Sequence, residues 1–432
     1  MRIKFIYPND PQINIIQLRL FWYPLISFPV LAAYTPEEHH IEIIDEIFEP
    51  INFDEPVDLV GITAMTYMAP RAYEIADAFR QRGIPVVVGG IHVSSMREEA
   101  KQHADAVVIG EAELLWEQVV EDAANNSLKP FYKAKSPFDV SQYRRPRYEL
   151  LEKYFQPGKQ YHPHGYNSLN VIEMSRGCPF DCDFCTVTNY FGSNYRSRPV
   201  EDVVRDMRYL KLHFKDRFFN INDDNLLGNR PHFVELLKRL CKINIQWAGQ
   251  VSSNVAKDDE VMKLMAESGC QTLFVGLESI CEESLKSINK KMNRVKEYDQ
   301  FMEQCQKFNI RVVVSIIFGL DGDREDSFKN TVDFVNRYKG LLTPSYTILT
   351  PFPGSRLYER LEAENRIIDF DWRHYDLGHV VIQPKNMSAK VLKEGLLWAM
   401  SQFEPYRMNA EEVSKERRKL TMSKRDVSVK NF

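Results

Sequence analysis

Glycine (19) and proline (22) are too sparse among 432 residues for a collagen-like or low-complexity protein, and a composition of 44% hydrophobic and 27% charged residues excludes extensive disorder. Neither sign of charge dominates: 56 Lys and Arg against 60 Asp and Glu leave a formal net charge of −4. That balance gives no general attraction to nucleic acid or an anionic membrane, so no nucleic-acid partner is expected. A long apolar run is also missing. The best stretch, residues 18–34, holds Arg19, Pro24 and Pro29 and is too broken to span a bilayer, so no transmembrane segment is expected. The start, Met1-Arg2-Ile3-Lys4-Phe5-Ile6-Tyr7, lacks the apolar core and cleavage site of a secretory signal. Together with an odd count of seven cysteines, this points to the reducing cytoplasm.

What is present is alternation, over a length that suits two or three domains. Apolar runs of strand length stand at 3–7, 41–44, 59–63, 85–88 and 106–109, with helical spacing between them at 69–82 and 93–102. Near-continuous apolar strands alternating with helices predict a doubly wound, Rossmann-like parallel sheet of the α/β class. Ligands of such sheets sit outside the carboxyl ends of the strands. Gly89-Gly90 and Gly110-Glu111 fall there, either as tight turns or where backbone without a Cβ admits a large flat cofactor.

Periodicity fails from about 126 to 165, where five prolines punctuate the chain; a linker is predicted there. His162 and His164 flank one of these prolines and read as solvated residues. A second series then begins. Strands are predicted at 169–174, 218–222, 245–252, 272–275, 311–318 and 345–349, and helices at 200–214, 231–241, 258–267, 282–289, 295–308, 325–337 and 355–364. Six strands, each followed by a helix, predict a partial (β/α)6 barrel whose active face is the carboxyl edge. Past residue 370 only a helix at 388–403 is expected, followed by a basic tail at 415–430. The expected domains are 1–125, a linker at 126–165, a barrel at 166–368 and a small helical region at 369–432.

Directly after the first barrel strand stands Ser175-Arg176-Gly177-Cys178-Pro179-Phe180-Asp181-Cys182-Asp183-Phe184-Cys185. Three thiolates in eight residues call for a metal, and soft sulfur selects iron–sulfur or zinc. A closed zinc site wants a fourth ligand, and no Cys or His follows within twenty residues. A [4Fe-4S] cluster on Cys178, Cys182 and Cys185 instead leaves one iron open for a ligand. Cys241, Cys270, Cys281 and Cys305 contain no close pair and read as small buried hydrophobes.

The CxxxCxxC loop at the end of the first strand, with Phe184 before the third cysteine, closely resembles the radical S-adenosylmethionine superfamily. That resemblance implies a fourth iron that chelates S-adenosylmethionine, and a reduced cluster that cleaves it to methionine and a 5′-deoxyadenosyl radical able to attack unactivated carbon. It also implies a flavodoxin- or ferredoxin-type electron donor. Later strand ends fit in order. Asp223 and Asp224 of Asn222-Asp223-Asp224-Asn225 stand where the family meets the amino end of S-adenosylmethionine; Gln250 and Ser252 share one face. Phe274-Val275-Gly276-Leu277-Glu278-Ser279 looks like the ribose motif through Glu278, and Ile317-Phe318-Gly319-Leu320-Asp321 like the adenine segment at Gly319.

The N-terminal segments Asp58-Leu59-Val60-Gly61-Ile62-Thr63, Val87-Val88-Gly89-Gly90-Ile91-His92 and Ala106-Val107-Val108-Ile109-Gly110-Glu111 resemble the cobalamin-binding domain that precedes many of these enzymes. The resemblance implies cobalamin contacts at Thr63, Gly89, Gly90, His92, Gly110 and Glu111. The Asp-x-His-x-x-Gly motif of other cobalamin proteins is absent; the loop after the first strand reads Pro8-Asn9-Asp10-Pro11-Gln12-Ile13-Asn14. The implied function is cobalamin-dependent C-methylation of a small-molecule or lipid-like substrate. Two alternatives stand beside it: the same radical chemistry without methyl transfer, and a non-catalytic iron–sulfur or zinc protein. Arg196 and Arg198 are candidates for balancing cluster or substrate charge.

Overall fold

The computed structural model describes residues 1–10, 23–155, 166 and 168–403. The first apolar runs form β1 (Arg2–Tyr7), β2 (His40–Asp45), β3 (Leu59–Thr63), β4 (Val86–Gly89) and β5 (Ala106–Ile109). Helices α1 (Ser27–Ala33), α2 (Ala69–Arg80), α3 (Ile91–Ser95), α4 (Arg97–His103) and α5 (Trp116–Ala124) connect them. All pairings are parallel in the order β2-β1-β3-β4-β5-β6, where β6 is Phe131–Lys133. Alternate residues face opposite layers: Val86 and Val88 join the core under α2, while Val87 joins the core under α1 and α5. The order reverses between β1 and β3, which opens a crevice at their carboxyl ends.

Three local expectations change. The helix expected at 93–102 is split into α3 and α4 at Met96. Helices α1 and α5 add to the expected set. The expected linker carries β6, an edge strand too short for a period of two to register, with only Tyr132 buried. Beyond it Phe138, Tyr143, Tyr148, Leu151 and Tyr154 are buried in a core continuous with the barrel. Tyr148 Oη donates to the Val171 carbonyl at 2.5 Å, and the Asp45 N–H donates to Tyr154 Oη at 3.0 Å. The connection is thus a packed layer between two sheets. His162, His164 and the basic tail lie outside the described residues.

The second sheet begins with β7 (Val171–Ile172), shortened from the expected 169–174, followed by the antiparallel pair β8 (Ser175–Arg176) and β9 (Arg196–Ser197) around α6 (Val187–Phe191). It continues with α7 (Val200–His213), β10 (Phe218–Ile221), α8 (Arg230–Leu240), β11 (Gln246–Gln250), α9 (Asp259–Glu267), β12 (Cys270–Glu278), α10 (Glu282–Ser287), α11 (Tyr298–Lys307), β13 (Arg311–Phe318), α12 (Asp326–Arg337), β14 (Leu342–Ile348) and α13 (Arg356–Ala363). The order β14-β13-β12-β11-β10-β7 is parallel throughout and leaves β7 and β14 as edges, so the barrel is open. Helix α14 (Ala389–Ser401) packs against β14 and α12. The segment before it reaches back to the first domain, where Trp372 Nε1 donates to the Glu99 carboxylate at 3.1 Å and Arg373 pairs with Asp10 and Glu74.

Candidate active site

The cysteine loop leaves the barrel between β8 and α6. Gly177 turns it at φ +86°, where a Cβ would lie 2.8 Å from the Asn194 carbonyl oxygen. Its two aspartates act as anchors. Arg356 at the start of α13 donates to Asp183 Oδ1 (3.0 Å) and Asp181 Oδ1 (2.6 Å), the Asp183 N–H donates to the Ile288 carbonyl (3.0 Å), and Asn289 Nδ2 donates to the Asp181 carbonyl (2.5 Å). Cys182 is buried; Cys178 and Cys185 are half-buried. Burial pushes the Cys182 thiol up to about 11 and Cys185 to about 12, so a metal would have to displace their protons. Among the described residues no three His, Cys, Asp or Glu side chains gather as closely as one ion requires. Cluster ligands attach to separate irons and need no single meeting point.

Around these thiols stand the other expected residues. Asp224 lies close enough to Cys178 and Cys185 to raise both thiols, and burial raises its own carboxyl to about 7, with Glu173 adding to the shift. Gln250 Nε2 donates to the Asp224 carbonyl at 2.9 Å. Glu278, buried and at φ +63°, accepts from Lys290 Nζ at 2.9 Å. Phe184 lies under the same ammonium, 5.5 Å from Nζ to ring centroid. Lys290 is not among the residues expected from the sequence, yet it is a half-buried cation that faces the thiols and lowers those of Cys178 and Cys182. The sequence reading ends a helix at Asn289 and assigns Lys290 and Lys291 no role; only the fold carries them back onto the cysteine loop.

Three expected residues are engaged within the chain. Asp223 accepts from the Met174 N–H at 2.8 Å and from Ser175 Oγ, tying β10 to β8, and burial holds its carboxyl well above the usual range. Ser252 Oγ bonds Asn254 Oδ1 at 2.5 Å. Gly319, at φ +96°, donates its N–H to Asp323 at 2.9 Å, and a Cβ there would meet Leu392 of α14 at 2.7 Å.

The crevice of the first sheet deepens into a cavity of about 250 Å³. Thr63, Gly89, Gly90, Gly110 and Glu111 all line it. Gly90 (φ +103°) and Gly110 (φ +77°) hold conformations that favour glycine. A Cβ on Gly90 would stand 2.8 Å from Thr63 Oγ1, while Gly110 faces open space. Apolar walls of Phe5, Phe28 and Trp116 complete the inner end. A glycine-edged, mainly apolar slot fits a flat macrocycle or its tail. His92 is buried and stands apart from the lining residues. It is the second residue of α3, and its ring turns to Glu99 (3.4 Å) and the Trp372 indole (5.2 Å between centroids). Among the described residues no histidine lines the cavity.

The outer wall belongs to the second domain, through Glu173, Arg176, Tyr190, Phe191 and Asn222. Tyr190 Oη donates to the Gly110 carbonyl at 3.0 Å. Arg176 is buried against three carboxylates: Glu111 at 2.8 Å, Glu113 at 2.6 Å and Glu173 at 2.9 Å. Arg196 adds a second cation on Glu111 at 3.0 Å, and Arg198 instead pairs with Asp206 of α7 at 2.5 Å. The two glycine turns of the first sheet and, from the barrel, Glu173, Arg176 and Asn222 therefore line a single cavity.

Comparison with known proteins follows the same division. A model of the radical S-adenosylmethionine superfamily matches residues 172–335, and one of the B12-binding domain matches residues 29–120. The bacteriochlorophyllide d C-8(2)-methyltransferase of Chlorobaculum tepidum is 34% identical over 85% of this chain and 84% of its own length. The bacteriochlorophyllide d C-12(1)-methyltransferase of the same organism is 33% identical over 79% and 73%. Among solved structures, the radical S-adenosylmethionine methyltransferase TsrM of Kitasatospora setae, with cobalamin and a [4Fe-4S] cluster bound, shares the fold (TM-score 0.63, 16% identity, 84% of this chain and 75% of that one). No helix among the described residues is long and apolar enough to cross a membrane.

Proposed function

The chain belongs to the radical S-adenosylmethionine superfamily and carries a B12-binding domain, and from that premise we propose that it methylates an unactivated carbon of a large, apolar, ring-built small molecule. The single observation that carries this reading is the shared opening: the glycine edge of the first sheet and the carboxyl edge of the barrel line one cavity. When bound, the cluster would supply the 5′-deoxyadenosyl radical from S-adenosylmethionine and the corrinoid would supply the methyl group.

The residues of the chain bind, orient and shield. Cys178, Cys182 and Cys185 hold the cluster. Asp224 and Lys290 are opposite charges that both face the thiols, complementary to the ammonium and carboxylate of an amino-acid moiety on an open iron. Glu278 orients Lys290 and Phe184 covers it. Gln250 positions the backbone of Asp224. Thr63, Gly89, Gly90 and Gly110 would let the corrinoid approach the sheet, with Glu111 at its rim. The two Chlorobaculum relatives act on bacteriochlorophyllide d, which favours a tetrapyrrole-like substrate. An electron donor of flavodoxin or ferredoxin type would supply the reducing electron.

Anaerobic reconstitution with iron, sulfide and hydroxocobalamin tests the reading. Expected are absorption near about 400 nm from the cluster, retained corrinoid, and label transfer from methyl-deuterated S-adenosylmethionine to a chlorophyllide-type acceptor. Cleavage to 5′-deoxyadenosine without label transfer to any tetrapyrrole or polycyclic acceptor would leave radical chemistry without methyl transfer as the function.

A further inference from the structure

Arg176 stands two residues before Cys178, yet its charge is met largely from the other domain. Glu111 and Glu113 come from the loop after β5, Glu173 from between β7 and β8. The guanidinium is used on every edge: Nε and one Nη grip Glu173 at 3.0 and 2.9 Å, and the Nη atoms reach Glu111 and Glu113. The rings of Phe138, Tyr143 and Phe191 enclose it at 5.6 to 5.7 Å. With Arg196 the knot holds three carboxylates and two guanidinium groups, and Glu111, Glu113, Glu173 and Arg176 all line the cavity.

Buried ion networks are poor sources of stability, because desolvation offsets their attraction and apolar packing serves as well. They do fix register, since a planar fork accepts its carboxylates in one geometry only. Resting on the functional reading above, we propose that Arg176 is a positioning residue for methyl transfer. It locks the root of the cysteine loop to the β5–α5 loop beside Gly110, so that cluster-bound S-adenosylmethionine and the corrinoid address the same substrate carbon.

The test uses full-length protein loaded with cluster and hydroxocobalamin, as wild type, Arg176→Lys, the milder Glu113→Gln, and Arg198→Lys as a buried ion-pair control that does not cross between domains. Two quantities are read: 5′-deoxyadenosine formed per methylated product, and the magnetic interaction between cob(II)alamin and the reduced cluster by electron paramagnetic resonance, which needs no turnover. Both knot variants are expected to bind cluster and corrinoid, to raise the ratio on the order of tenfold, and to lose the single wild-type spin interaction. The control lowers the yield of folded protein at an unchanged ratio. Should Arg176→Lys fail to fold, Glu113→Gln alone decides. Knot variants with the wild-type ratio and spin interaction, or a control that shifts as far as they do, overturn this inference alone. Wild type that retains no corrinoid overturns the functional reading and the inference with it.

Discussion

The two carboxyl edges that meet at the cavity are built on opposite principles. The first sheet offers what is missing: Gly89, Gly90 and Gly110 expose backbone where side chains would stand, and Gly110 has nothing within 4 Å of a Cβ. The barrel edge offers side chains in quantity, with three thiols, Asp224, Glu278 and Lys290 crowded around one loop. A large flat ligand is held by area and needs clearance, whereas a small charged ligand is held by directed contacts. Loss of function should therefore take two separable forms, loss of space on one side and loss of chemistry on the other.

The largest effect is expected from Cys182→Ala. Cluster absorption and all cleavage of S-adenosylmethionine should disappear while hydroxocobalamin, held by the other edge, is still retained; loss of both together would mean that the edges are not independent. Gly110→Leu is the reciprocal change. It fills the open space and places a side chain at φ +77°, a strain of about 1–3 kcal/mol, so corrinoid affinity should fall by tenfold to a hundredfold on that order, with iron content unchanged. Lys290→Met removes one charged partner, and the KM for S-adenosylmethionine should rise about tenfold at normal cluster loading.

The effect most remote from activity is on stability and should be equal on both sides. Burial raises the carboxyls of Asp45, at the end of β2, and Asp323, which follows β13, to about 6 from 3.8. A raised carboxyl binds its proton more tightly folded than unfolded, so its contribution to stability is present below pH 3.8 and is lost as pH rises through about 6. Each amounts to at most about 3 kcal/mol. Urea unfolding between about pH 4 and pH 6 should therefore lose less stability with rising pH in Asp45→Asn and in Asp323→Asn than in wild type. A change in only one of them would locate the strain in one sheet.

Much of this was legible residue by residue. The runs 59–63, 106–109 and 311–318 are apolar enough that their strands match β3, β5 and β13 end to end, and the spacing of Cys178, Cys182 and Cys185 needs no partner elsewhere to be read. Other features have no local signal. β6 exists because β5 has a free edge, not because three residues insist on extension. His92 follows two glycines as a contact residue would, but its direction is set by the packing of Trp372, 280 positions later in the chain. Lys290 resembles any surface lysine until the segment 288–290 is hydrogen-bonded to the cysteine loop.

By itself, then, the sequence determined the alternation of strand and helix, the glycine turns and the cysteine loop, because each depends on residues a few positions apart. Only the tertiary structure decided that both edges open into one cavity, that Lys290 and Asp224 face the same thiols, and that Arg176 takes its counter-charges from Glu111 and Glu113 of the other domain. Those contacts join residues that no periodicity links, and a buried charge finds its partner only when folding brings the two sheets together.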